Sequence, residues 1–396
     1  MISVEEAIER IRTAFTPVNR EIVALTDAAN RVLVSDVIAD VSQPPNDVAS
    51  MDGYAVRSED VRASGKKLRV IGTAPAGHPF PGGVGRDEAV RIFTGAVIPE
   101  GSDSIIIQED TSLEEGFVVC KAAATKARHI RSRGIDFTKG DKLMFAGHRL
   151  SARDLSLLAA ADVSNIEARR RPRVLFAATG DELSRPGEPR KPGGIVASSG
   201  YGIAAMITAW GGEPIDFGIL PDSTEAIATI ADVAPTVDLV VTIGGASVGD
   251  HDLVQRALGP RNFELEFWKV AMRPGKPLIF GRLGSTAVLG LPGNPVSSLV
   301  CAILFLRPAI GALLGTSAEA PVMDARLARS LAANDSRQDY IRASLGFRDG
   351  EAVVEPFALQ DSSMLRVFAN AQCLIVRKPN APASQVGERV EILILD

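Results

Sequence analysis

Apolar and polar positions along the chain fall into distinct regimes. Val4, Ala7, Ile8, Ile11 and Phe15 recur at helical spacing behind Ser3-Val4-Glu5-Glu6, a capping-box pattern. From 19 to 41 the runs are short and extended. From 42 to 136 Gly, Pro and brief alternating stretches dominate (68–71, 89–93, 104–107, 117–119), which predicts a β-rich unit without a helix. Ser151-Ala152-Arg153-Asp154 opens a predicted helix that runs to about Ala161. From Arg173 the pattern alternates between strand and helix: strands 174–178, 215–220 and 237–243, helices 199–210, 226–233 (Asp222 as its N-cap) and 296–314. Buried strands alternating with helices predict a mainly parallel sheet. After Gly315 short candidate strands at 322–327, 340–345, 352–354, 373–376 and 389–395 predict a small barrel or sandwich.

Composition narrows the class. A chain of 396 residues suggests two to four domains, and 46% hydrophobic residues allow a sizeable core. The net charge of −5, with no run of five like charges, argues against a nucleic-acid partner. Cys120, Cys301 and Cys373 are odd in number and dispersed, which excludes a disulfide framework and a thiolate zinc site and suits a reducing cytoplasm. The amino terminus shows no signal-peptide pattern, and the longest apolar run, 299–306, is too short to span a bilayer. A soluble cytoplasmic protein with no membrane partner is expected. The basic cluster Arg169-Arg170-Arg171-Pro172-Arg173 reads as a solvated connection between domains.

Three loop signatures between Ile243 and Ser298 follow apolar, β-like runs at 237–243, 267–272 and 286–290. They are Gly244-Gly245-Ala246-Ser247-Val248-Gly249-Asp250-His251-Asp252, Arg273-Pro274-Gly275-Lys276-Pro277, and Leu291-Pro292-Gly293-Asn294-Pro295-Val296-Ser297. Open α/β sheets bind ligands at the carboxyl ends of their strands. The first loop offers a nest of N–H donors for phosphate. Lys269, Arg273 and Lys276 add cations, two of them flanking a rigid Pro-Gly turn. Thr179-Gly180-Asp181-Glu182, with Asp250 and Asp252, places carboxylates on strand ends of the same sheet, where they can hold Mg²⁺ or serve as turns and helix caps. A polyanion with a divalent ion is the expected ligand. The first loop also matches G-x-S-x-G, but a hydrolase needs a histidine well after the serine, and His251 is the last in the chain. No P-loop pattern and no H-E-x-x-H occur. Met51–Val56, 91–96 and 131–136 read on physics alone as ordinary turns.

In this order the motifs resemble the MoeA family, the molybdopterin molybdenumtransferases that include the gephyrin E-domain. The resemblance rests on Met51-Asp52-Gly53-Tyr54-Ala55-Val56, Arg91–Ala96 with Ile98-Pro99-Glu100-Gly101, Gly134-Ile135-Asp136, Thr179–Leu183 and the three loops, and it spans nearly the whole chain. It implies an α/β multidomain fold: a central, mostly parallel α/β molybdopterin-binding domain (1–18 and 170–315), a linker domain (19–41 and 137–169), a β-rich domain (42–136) and a C-terminal β-barrel-like domain (316–396). It implies insertion of molybdate into adenylylated molybdopterin with release of AMP, Mg²⁺ dependence, a homodimer whose site is shared between subunits, and a molybdopterin adenylyltransferase as substrate donor.

Residue by residue, the resemblance assigns Asp52, Thr94, Arg131 and Asp136 to the half of the site that faces the other subunit. It assigns Glu182, Asp222 and Asp252 to the acidic positions, with Asp250 adjacent; joined to the strand-end carboxylate reading, Glu182, Asp250 and Asp252 are the expected metal ligands. Lys269, Arg273 and Lys276 match the basic positions. Gly244, Gly245, Ser247, Gly249 and Ser297 contact the bound anion, and Arg342 and Ser363 are looser matches for holding molybdate. Arg273 stands where lysine is common, and Arg337-Gln338-Asp339-Tyr340 departs from the usual Gly-Arg-x-Glu. Two other classes are weighed against this: a scaffold that uses the pocket without chemistry, and the adenylyltransferase, which resembles only the βαβ part.

Overall fold

Near-continuous runs of Val, Leu, Ile and Ala make strands buried on both faces, and these build the central sheet. A computed structural model describes residues 1–245 and 253–395. In it the sheet comprises β1 (Arg173–Thr179), β2 (Glu213–Leu220), β3 (Leu239–Ile243), β4 (Phe263–Trp268), β5 (Ile279–Leu283) and β6 (Thr286–Leu291), in the order β2-β1-β3-β6-β5-β4. The first four in that order are parallel; β5 and then β4 are added antiparallel. Two reversals return β4 to the direction of the parallel set. Its carboxyl end therefore meets those of β1, β3 and β6 along one edge, in a register row Gly218, Ala177, Thr242, Gly290, Ile279, Trp268. All three loop signatures leave the sheet at that edge.

The run 267–272, expected as one β-like stretch, divides. The strand ends at Trp268, Lys269 turns the chain at φ 68°, and Met272–Arg273 leaves the sheet to pair with Gln338 and Asp339 of the C-terminal unit. The capping expectations are also corrected. Ser3 Oγ accepts from Glu6 N at 3.0 Å, but Glu6 bonds Arg10 instead of reaching back. Ser223, not Asp222, caps the helix after β2, accepting from Ala226 N at 3.1 Å. That helix splits into Thr224–Ala228 and Ile230–Val233.

The third loop feeds a helical stretch, Pro295–Leu314, of 20 residues with mean hydropathy 2.0. It covers the helix expected over 296–314, of which the apolar run 299–306 is only the middle, and contains a π-helical segment at Ala302–Leu306. By length and composition it is long enough to cross a membrane, yet 89% of its apolar window is buried inside the fold. The central sheet, helix Ser199–Ala209 and the amino-terminal helix Val4–Thr13 pack in the same core, which is why it is apolar all round.

Past Gly315, β7 (Val322–Leu327), β8 (Gln338–Arg348), β9 (Glu351–Pro356), β10 (Cys373–Arg377) and β11 (Arg389–Ile394) pair in the order β8-β9-β7-β11-β10. β10 also pairs with β8, closing a barrel around Leu327, Ala343, Val354, Ile375 and Ile392. The amino-terminal region holds a six-stranded mixed sheet running from Gly53–Val56 to Phe117–Cys120, with only 3₁₀ turns between strands. Strands Arg20–Ala24 and Asn165–Arg169 pair antiparallel where the chain leaves and rejoins the central unit. The basic cluster at that junction is structural, not merely solvated: Arg170 grips Asp238 through bonds of 2.7 and 2.6 Å, and Arg169 donates to Val18 O at 2.9 Å.

Candidate active site

The strand-end edge opens into a cleft of about 840 Å³. Thr179 and Glu182 enter it from the turn after β1, Asp222 from the turn after β2, and Gly244 and Gly245 from the end of β3. Ser297 comes from the first turn of the core helix, and Ser363 and Leu365 from the barrel. Three strand ends thus converge with one helix start and one loop of a separate sheet.

The glycine pair is required by geometry. Gly244 has φ 92°, and a Cβ there would lie 2.8 Å from the Thr179 carbonyl oxygen. Gly244 N also donates to Leu291 O at 3.0 Å, tying the first loop to the third. Gly275 plays the same part for the second loop: a side chain would collide with Cys301 Sγ on the core helix. Thr179 Oγ1 and Thr242 Oγ1 are buried at these strand ends without a hydrogen-bond partner.

Asp181, Glu182 and Asp222 place negative charge together. Asp222 N donates to Asp181 Oδ1 at 3.3 Å. Partial burial pushes the Asp222 carboxyl above the usual carboxylate range, and the nearby Glu182 and Asp181 charges push it the same way. Among the described residues no group of three acids, histidines or cysteines is close enough to hold a metal ion. Mg²⁺ nevertheless typically takes only one or two protein carboxylates, with substrate phosphates and water completing the shell. The carboxylate of Glu182, on the cleft wall, fits that habit. Ser247, Gly249, Asp250 and Asp252 lie outside the described residues.

The cations stand around the cleft, not on its wall. Lys269 places Nζ 3.5 Å from the Trp268 ring centroid, a cation–π contact. Arg273 bonds Asp335 and Asp339, each at 3.3 Å, so this cation is partly neutralised by the barrel. Lys276 is half-buried beside Pro277, which does line the cleft. Arg342 is only 1% exposed and donates from Nη2 to Asp361 O at 3.2 Å.

The β-rich unit is a separate cluster. Asp52 Oδ1 accepts from Thr94 N at 2.7 Å and Thr94 Oγ1 at 2.8 Å, bonds that hold its carboxyl below the usual range. Arg131 and Asp136 are exposed on the same unit. None of these four lines the cleft of its own chain. Burial pushes the Cys120 and Cys373 thiols up to about 11, and Cys301 is raised further, so none of the three is a nucleophile.

One part of the cleft carries no chemical signature in the sequence: a flap in which Leu183–Ser184 pairs parallel with Ile195–Val196, putting apolar Ile195 and Val196 on the cleft wall. The Pro/Gly-rich stretch between them was the available signal. Asn294, within the third loop signature, donates its amide to Ser362 Oγ at 3.0 Å and joins the helix start to the barrel.

Comparison with known proteins agrees with this architecture. The description "MoeA N-terminal region (domain I and II)" matches residues 2–161, "Probable molybdopterin binding domain" matches 176–312, and "MoeA C-terminal region (domain IV)" matches 324–395. The chain is similar to the molybdopterin molybdenumtransferase of Haemophilus influenzae, 34% identical over 381 residues, covering 95% of this chain and 94% of that one. It is 37% identical over 340 residues to the molybdopterin molybdenumtransferase of Nostoc sp., covering 83% and 78%. The crystal structure of the molybdopterin biosynthesis MoeA protein from Pyrococcus horikoshii superposes with a TM-score of 0.83 at 29% identity, covering 100% of this chain and 99% of that one.

Proposed function

The chain belongs to the MoeA family of molybdopterin molybdenumtransferases and serves molybdenum cofactor biosynthesis, and on that premise we propose that it inserts molybdate into adenylylated molybdopterin with release of AMP. The observation that carries this reading is the convergence of Glu182, Asp222, the Gly244-Gly245 turn, Ser297 and Ser363 on one cleft at the strand ends.

Glu182, with Asp250 and Asp252, would hold Mg²⁺, which supplies positive charge to the phosphoanhydride when bound. The glycine turn and Lys269 bind phosphate oxygens. Lys276 and Arg273, with Ser297 and Ser363, gather molybdate, and Arg342 supports this wall. Asp222 orients the substrate from the turn after β2. The chemistry asked of the protein is positioning and charge neutralisation.

Asp52, Thr94, Arg131 and Asp136 complete the site from a second subunit of a homodimer. Their absence from the cleft of their own chain supports that reading. A molybdopterin adenylyltransferase supplies the adenylylated substrate, and the work is cytoplasmic, in keeping with three buried, unpaired cysteines. The test is Glu182→Ala, assayed for AMP release from adenylylated molybdopterin with Mg²⁺ and molybdate. Loss of release is expected; undiminished release contradicts the metal assignment.

A further inference from the structure

The barrel's contribution to the cleft hangs on one short loop. β9 ends at Pro356, and the chain reaches Ser363 at the cleft wall seven residues later without regular structure. What fixes that loop is a side chain that behaves as backbone. Gln360 Oε1 accepts from Arg342 N at 2.9 Å, and Gln360 Nε2 donates to Arg342 O at 2.9 Å. Nε2 also donates to Phe357 O at 2.8 Å. The amide therefore pairs with both backbone groups of Arg342 on β8, as a neighbouring strand would. Arg342 then closes the arrangement, its guanidinium donating to Asp361 O at 3.2 Å.

Beyond this clamp the loop docks on the central unit. Ser362 O accepts from Val296 N at 3.0 Å, filling one open N–H of the core helix, and Ser362 Oγ accepts from Asn294 at 3.0 Å. Asp361 Oδ1 accepts from Ser363 N at 2.8 Å and Ser363 Oγ at 2.6 Å, so the hydroxyl proton rests on Asp361 and turns from it when Ser363 donates to an anion. The order of support runs from Gln360 through Arg342 and Asp361 to Ser363.

We propose that Gln360 is a positioning residue for anion binding: through Arg342 it holds the Asp361–Ser363 loop in the register that presents Ser363 to molybdate. Gln360 itself touches no substrate. The inference rests on the reading above that Ser363 contacts the anion. Displacement of a binding group by about 1 Å costs up to ~100-fold in rate or affinity, so the clamp is measurable through the anion alone.

The experiment is steady-state kinetics on Gln360→Ala, Gln360→Glu and Ser363→Ala, varying molybdate and adenylylated molybdopterin separately, with Tm measured for each. Gln360→Ala is expected to raise the KM for molybdate about tenfold or more, with kcat and the KM for adenylylated molybdopterin within about threefold. Gln360→Glu keeps the acceptor but sets a carboxylate against two carbonyl oxygens, so it should be at least as impaired near neutral pH and recover partly on acidification. A molybdate KM unchanged in Gln360→Ala while Ser363→Ala raises it overturns the clamp. No effect of Ser363→Ala overturns the anion role of Ser363 instead. A uniform loss of kcat with a lowered Tm marks Gln360 as merely structural and overturns the proposal too.

Discussion

Asp222 shows how burial and neighbouring charge act on a single residue. Its carboxyl is pushed up by partial burial, which outweighs a backbone hydrogen bond from Asp181, and the Glu182 and Asp181 charges add to the rise, so the ionised form is disfavoured in the folded chain. A raised folded-state pKa means that ionisation costs stability above that value, and the cost disappears below the unfolded value. Asp222→Asn is therefore expected to raise Tm slightly near neutral pH, with the gap to the parent closing as pH falls through the carboxylate range. Thermal melts across pH check this, and a gap that widens on acidification contradicts it. The sequence marked Glu182 as an acid on a strand end and read Asp222 as a helix cap, which only the family resemblance moved to the site. It could not tell that Ser223 takes the capping role and leaves Asp222 to line the cleft, because both fit the same local pattern. Gln360 was illegible for a related reason: a glutamine acting as backbone has no spacing or composition that marks it.

At the scale of elements, periodicity located the buried strands and the core helix because burial on both faces leaves little room for polar residues. It failed where tertiary pairing decided the outcome. The 267–272 run looked uniform, yet Lys269 turns and Met272–Arg273 pairs with β8 because the barrel offers it a strand. The strand-end loops depend on glycine for contact, not for looseness. Gly244→Ala must accommodate both φ 92° and a Cβ 2.8 Å from a backbone oxygen, neither of which a flexible side chain can relieve. We expect a loss of about 1–3 kcal/mol of stability, with AMP release falling further than stability explains. Urea unfolding paired with the activity assay checks this; parent-like values in both contradict the packing of the first loop against β1.

For the whole molecule, one chain presents two groups of matching residues that do not meet. Glu182 and Asp222 line the cleft, whereas Asp52 and Thr94 form their own bonded pair on the β-rich sheet. The motif order carried the family resemblance across the chain, but a sequence does not state which copy supplies which half. Mixed dimers of Asp52→Ala and Glu182→Ala subunits answer that. A site shared across a two-fold axis leaves one intact site per mixed dimer, so about half the parent activity should return from two inactive variants. A site built within one chain would return none.

Molybdate-dependent turnover is the property that the proposed reaction requires of this protein. Purified protein given adenylylated molybdopterin, molybdate and Mg²⁺ should release AMP and form metal-loaded cofactor in equal amounts, with both products lost when molybdate is withheld. Binding of the substrate without molybdate-dependent AMP release would contradict the proposed reaction.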